Sequence, residues 1–247
     1  MLRKMLWVTA SSIAGLTLLL GVLLAWPLPE TPRPGVVAGD FLMTNVTVVD
    51  VQAGILLEGK HVVVREGRIA SVGSAETAQV QRSLITIDGT GKFLMPGLWD
   101  MHTHSLKISP QYNHLLFIGT DAGDTYVSPG FSIHDELVER VSAGLTPADA
   151  LRSATIDAAR FSRKGTDFGS IETGKVADMI LLSADPLTDI RNTRQISALL
   201  FSGMFFDRAA LDQLLAFAGQ QANSIRTNLH LLWYAVNSPI IRVQLAD

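Results

Sequence analysis

Between Phe41 and Met95 the chain is broken into short runs of Val, Ile, Leu and Thr, each closed within a few positions by turn-forming residues. That pattern commits the region to a sheet. Phe41–Asp50 is rich in Val and Thr, and Val46 and Val48 fall on one face. His61–Arg65 and Arg68–Val72 flank Glu66-Gly67, which reads as a two-residue hairpin turn. Leu84–Ile87, a turn at Asp88-Gly89-Thr90-Gly91, and Phe93–Met95 complete the series. The period then changes. Ile133, Leu137 and Val141 recur at helical spacing within Ser132–Ala143, which stops at Gly144. Thr146 reads as an N-cap with Pro147 at the first helical position of a helix running to about Phe161. Strand signals return at Asp178–Leu182, Ile196–Phe201 and Met204–Phe206. Arg208–Ala222 and Ile225–Val236 read as helices. The fold class is mixed α/β.

The N-terminus has a different character. Met5 to Trp26 contain no charged residue, enough for a helix of roughly 33 Å, the thickness of a bilayer's hydrocarbon core. Arg3 and Lys4 precede the run, so the positive-inside rule keeps that end cytoplasmic. An uncleaved membrane anchor through residues 5–26 is favoured over a signal segment, because Ala25-Trp26-Pro27 is a poor cleavage site. Either way the globular part is placed on the non-cytoplasmic side, periplasmic or extracellular. Pro27, Pro29, Pro32 and Pro34 then make a stiff linker. A net charge of −3 without a basic stretch argues against a nucleic-acid partner. The absence of cysteine excludes disulfides, thiolate metal sites and Cys nucleophiles.

The chemistry concentrates in Met95-Pro96-Gly97-Leu98-Trp99-Asp100-Met101-His102-Thr103-His104. On a strand over 98–104, His102 and His104 point to one face and can clasp a divalent cation. Spacing alone makes this a weak signal, since paired surface histidines are common. Leu115-Leu116-Phe117-Ile118-Gly119-Thr120-Asp121-Ala122-Gly123 is an apolar run ending in a carboxylate at a Gly-rich turn. This suits a buried parallel strand with a catalytic group at its carboxyl end.

With these motifs, and with the stretches at 134–155 and 169–193, the chain resembles the metal-dependent amidohydrolase superfamily, in its imidazolonepropionase-like and Xaa-Pro dipeptidase-like branch. The resemblance runs from Asp40 to about Ser224. It implies that His102 and His104 hold a divalent metal, Zn2+, and that Asp121 is both a ligand and the general base of a hydrolase acting on a small amide or dipeptide-like substrate. It also implies a small composite β-sandwich built from 41–95 and 165–206, beside a (β/α)8 barrel. Here that barrel is reduced to a remnant at 96–164. Residues 1–27 form the anchor or signal segment, 28–40 the linker and 207–247 the C-terminal helices.

The family pattern is incomplete. A (β/α)8 barrel alone takes about 250 residues, and this chain has 247 in all. Only the sixteen residues Ser105–Thr120 separate His104 from Asp121, where six strand–helix units of about 30 residues each belong. The bridging ligand and two further histidines are lost with them. His114 does not replace these, Asp100 ranks below Asp121, and Asp124 has no assigned role. His134 and Glu136 match a helix and are expected at the surface or in a cap. Impaired hydrolysis is therefore one expectation. The alternatives are a catalytically inactive membrane-tethered remnant and a shortened gene model of a full-length enzyme.

Overall fold

The computed structural model describes residues 14–15, 17–32, 37–74, 84–101, 119–120 and 130–238. They fall into two compact units, one formed by Met1–Pro34 with Leu211–Asp247 and one by Gly35–Ala210.

The larger unit is organised by a nine-stranded sheet. Its strands are β1 (Val37–Ala38), β2 (Phe41–Asp50), β3 (Ile55–Arg65), β4 (Arg68–Gly73), β5 (Ile85–Asp88), β6 (Phe93–Pro96), β7 (Met179–Leu182), β8 (Ile196–Phe201) and β9 (Met204–Asp207). The order is β1-β9-β8-β7-β6-β2-β3-β4, with β5 paired to β2. Glu66 and Gly67 both have positive φ, as the two-residue turn between β3 and β4 requires. β2 carries register shifts near Val46, where Asn45 has positive φ. This bend lets one strand pair in parallel with β5 through Phe41–Thr44 and with β6 through Thr47–Val48. Gly89 fits the bend because a Cβ there would lie 2.6 Å from Val46 Cβ and 2.9 Å from the Thr44 carbonyl.

The two halves expected to make a β-sandwich share one continuous sheet. β6 hydrogen-bonds to β2 on one side and to β7 on the other, which joins the two expected halves into a single ladder. The sheet then curls. Ile69 N–H donates to the Lys175 carbonyl at 2.8 Å and Ala177 N–H to the Gly67 carbonyl at 2.9 Å, so β4 meets the segment leading into β7. The concave side encloses one core cluster, with Phe41, Val46, Val62, Ile69, Leu94, Leu181 and Leu200 all buried. Because side chains alternate along a strand, Met95, Ile180 and Leu182 point the other way. There they form a second cluster with helices α2 (Ser132–Ser142), α3 (Pro147–Ser153) and α4 (Ile156–Phe161). α3 begins as the sequence predicts, since Thr146 Oγ1 accepts a hydrogen bond from Asp149 N–H. The single helix expected to Phe161 is interrupted at Ala154-Thr155, where Thr155 leaves helical geometry with ψ of −97°.

In the smaller unit, α1 (residues 17–25) meets α6 (Ile225–Asn237), with His230 Nε2 donating to the Leu23 carbonyl at 3.2 Å. α5 (Arg208–Ala222) precedes α6. Among the described residues no helix is long and apolar enough to cross a membrane. Residues 1–13 and 16, which include part of the Met5–Trp26 run, lie outside the described ones.

Leu94 is fully buried between the curled faces. Leu94→Ala is expected to lower stability by about 2–5 kcal/mol in urea denaturation, whereas Ile55→Ala, at a half-exposed site, should cost less than about 1 kcal/mol.

Candidate functional site

β6 delivers the chain to the site. After Pro96, Gly97 N–H donates to the Asp178 carbonyl at 2.9 Å, extending the β6–β7 ladder by one bond. Trp99 N–H then donates to the Ala154 carbonyl at 2.8 Å, at the end of α3. That bond takes the segment away from any strand neighbour. Leu98–Met101, the described part of the expected 98–104 strand, is accordingly not part of the sheet. The Trp99 ring meets Phe168 edge to face, with centroids 5.8 Å apart.

Asp100 ends this segment with a bidentate contact. Its Oδ1 accepts from Thr120 N–H at 2.9 Å and its Oδ2 from Thr120 Oγ1 at 2.6 Å. The residues that lead into the His102-x-His104 pair are thereby tied to the residue immediately before Asp121. His102, His104 and Asp121 themselves lie outside the described residues, as do His114 and Asp124. Among the described residues no group of three or more His, Asp or Glu is placed to hold a metal ion.

Beside Asp100 lies a cavity of about 440 Å³, walled by Leu98, Trp99, Ile133, His134, Phe168 and Leu199 among others. The 165–170 wall is held by Lys175, whose buried ammonium donates to the Gly165 carbonyl at 2.8 Å and to Ser170 Oγ at 2.6 Å. Gly169 sits in this wall with φ of +91°, where a Cβ would approach Ile156 Cα to 2.7 Å.

His134 is not at the surface, as its sequence neighbours suggest, but 6% exposed. α2 lies against a 3-10 turn at Ile190–Arg194, which buries the ring. Its Nδ1 is 2.9 Å from Thr193 Oγ1. The single Thr193 hydroxyl proton goes to the Ile190 carbonyl at 2.8 Å, so Thr193 accepts and Nδ1 carries the imidazole proton. Burial, reinforced by the Arg194 charge and opposed by Asp135, lowers the His134 pKa to about 4. The ring is a neutral Nδ1–H tautomer at physiological pH. Glu136 accepts from Arg140 Nε at 2.9 Å, an intrahelical ion pair. Sequence reasoning missed the site role of His134 because Thr193 is 59 residues away. The run of charged residues around His134 also reads as a solvated face.

The amidohydrolase family profile matches residues 110–205. Imidazolonepropionase from Geobacillus sp. (strain WCH70) is 53% identical over 38 residues, which are 15% of this chain and only 9% of that enzyme. The chain thus spans less than a tenth of that curated relative. Among solved structures, a putative prolidase from Bifidobacterium longum superposes with a TM-score of 0.57 at 15% identity, covering 74% of this chain and 99% of that one. A Xaa-Pro dipeptidase with bound methionine in its active site also gives 0.57, at 10% identity, covering 68% and 100%. At such identities these two structures establish likeness of fold.

The buried imidazole gives a pH dependence of known sign. Below about pH 6.5 the unfolded chain protonates His134 and the folded chain does not, so stability should fall as pH drops from 6.5 towards 4. The loss is about 3 kcal/mol at most. Asp167 and Asp189, held low chiefly by hydrogen bonds from Arg68 and Arg191, lose their contribution only below their ordinary carboxylate range. Urea midpoints at pH 7.5, 6 and 5 should therefore show a slope that His134→Gln removes.

Proposed function

Since the chain belongs to the amidohydrolase superfamily, we propose that it is a metal-dependent hydrolase of carbon–nitrogen bonds in small amides or dipeptides, with turnover impaired by its shortened barrel. His102 and His104 hold a divalent cation, Zn2+, together with Asp121. The observation that carries this reading is the Asp100–Thr120 contact, because it joins the two segments from which all three donors emerge. Two imidazoles and a carboxylate with open positions are a recognised catalytic ligand set. When bound, the cation supplies Lewis acidity, bringing the pKa of water towards 7 and polarising the scissile carbonyl. Asp121 takes the proton from the attacking water and passes it to the leaving nitrogen. Asp100 acts through the two hydrogen bonds that its carboxylate accepts from Thr120, orienting the approach to both motifs.

The sixteen-residue spacing between His104 and Asp121 supports a second reading, an inactive remnant that keeps the fold without the full ligand set. The uncharged run Met5–Trp26 behind Arg3 and Lys4 supports placing the globular part on the non-cytoplasmic side.

Metal analysis of the purified full chain separates the two readings. About one Zn2+ per chain is expected, with affinity falling at least about tenfold in His102→Ala, and slow cleavage of an Xaa-Pro dipeptide that Asp121→Asn abolishes. No bound metal in the wild-type chain would falsify the hydrolase. Metal binding without cleavage leaves the inactive remnant. For the anchor, the chain should stay with membranes through alkaline extraction, and its release there would contradict a spanning segment.

A further inference from the structure

We propose that the cavity beside His134 is a binding site for a small uncharged aromatic molecule carrying one hydroxyl or N–H donor, which Nε2 of His134 recognises. The inference stands on this cavity alone and not on hydrolysis.

The acceptor comes first. Thr193 fixes the proton on Nδ1, so Nε2 carries a lone pair and can only accept. Among the described residues no group donates to it. His134 is part of the cavity wall while Thr193 is not. A donor on a ligand can match this acceptor.

The wall then limits the class. About 440 Å³ falls within the range of small-molecule pockets. Leu98, Ile133 and Leu199 line it, and Trp99 with Phe168 already form an edge-to-face pair that a third ring extends. Charge excludes anions. No Lys or Arg is among the described lining residues, whereas Asp100 and Asp178 are. Both carboxylates are engaged elsewhere, Asp100 by Thr120 and Asp178 by the Ser202 N–H at 2.9 Å. The charges that act chiefly on His134 are those of Arg194 and Asp135. The two charges that act on His134 have opposite signs, so its end of the cavity suits a neutral donor.

Four probes of similar shape test this on the full chain: phenol, toluene, benzoate and benzylamine. Phenol should bind about fivefold tighter than toluene, the return on one matched hydrogen bond, and benzoate at least about tenfold weaker than phenol. In imidazole-nitrogen NMR of the wild-type chain, phenol should move the His134 Nε2 resonance while leaving Nδ1 protonated, a readout that needs no variant. Thr193→Val frees the proton to move to Nε2, so it should erase the preference for phenol and leave toluene binding unchanged. His134→Phe should do the same if it folds. The proposal is overturned if toluene matches phenol, if saturating phenol leaves Nε2 unmoved, if benzylamine binds tighter than phenol, or if none of the probes binds.

Discussion

Strand β6, only four residues long, is the element on which the rest depends. It accepts β2 as a parallel partner and β7 as an antiparallel one, so sequence-distant halves of the chain become one sheet. Its alternate residues serve different cores, Leu94 on the concave side and Met95 against the helices. Both are fully buried. The next residues leave the sheet at Gly97 and run past Trp99 to Asp100. The same strand therefore closes the fold and aims the chain at the candidate site. A parallel pairing of this kind needs a long connection, and here the chain between Asp50 and Phe93, with β3, β4 and β5 in it, provides it.

Local elements were legible because their signals are local. Phe41–Asp50, Ile196–Phe201 and Arg208–Ala222 occur as read, set by Val/Thr runs, turn residues and helical spacing. The Thr146-Pro147 helix start holds for the same reason, since a cap involves residues three apart. What escaped was pairing. Nothing in a period-two pattern says that β6 will lie between β2 and β7, or that Val37-Ala38 will add an edge strand to β9. The break at Thr155 also escaped. Its hydroxyl bonds back to the Leu151 carbonyl at 2.6 Å while the Ala154 carbonyl is taken by Trp99, a competition that helix propensity does not contain.

The candidate site divides along the same line. The family resemblance singled out His102, His104 and Asp121 by motif, and all three lie outside the described residues. The described neighbours Asp100 and Thr120 are hydrogen-bonded to each other. His134 illustrates the converse. Its neighbours Asp135, Glu136, Glu139 and Arg140 read as a polar face, yet α2 presents Ile133 and Leu137 inward and carries His134 onto the Thr193 turn. A histidine flanked by carboxylates is ordinarily raised in pKa. This one is lowered, because burial outweighs Asp135 and Arg194 opposes it. Only tertiary packing decides that sign.

Fold and chemistry therefore make different demands on this chain. The concave core is assembled from Phe41–Leu94 and Ala177–Leu200, and the outer cluster from β6, β7 and the helices after residue 131. Both draw their closing hydrogen bonds from segments on either side of the shortened connection, such as Gly97 to Asp178 and Ile69 to Lys175. A sheet of this kind tolerates change in the segments outside it, because helices α2–α4 already cover the side that β6 and β7 turn outward. Coordination has no such tolerance. A ligand set acts only when every donor is held to within about half an ångström, whereas the Asp100 carboxylate clasps one residue, Thr120. Packing and coordination are thus separate requirements, and the Asp100–Thr120 contact lies where the packed sheet hands the chain on to both motifs.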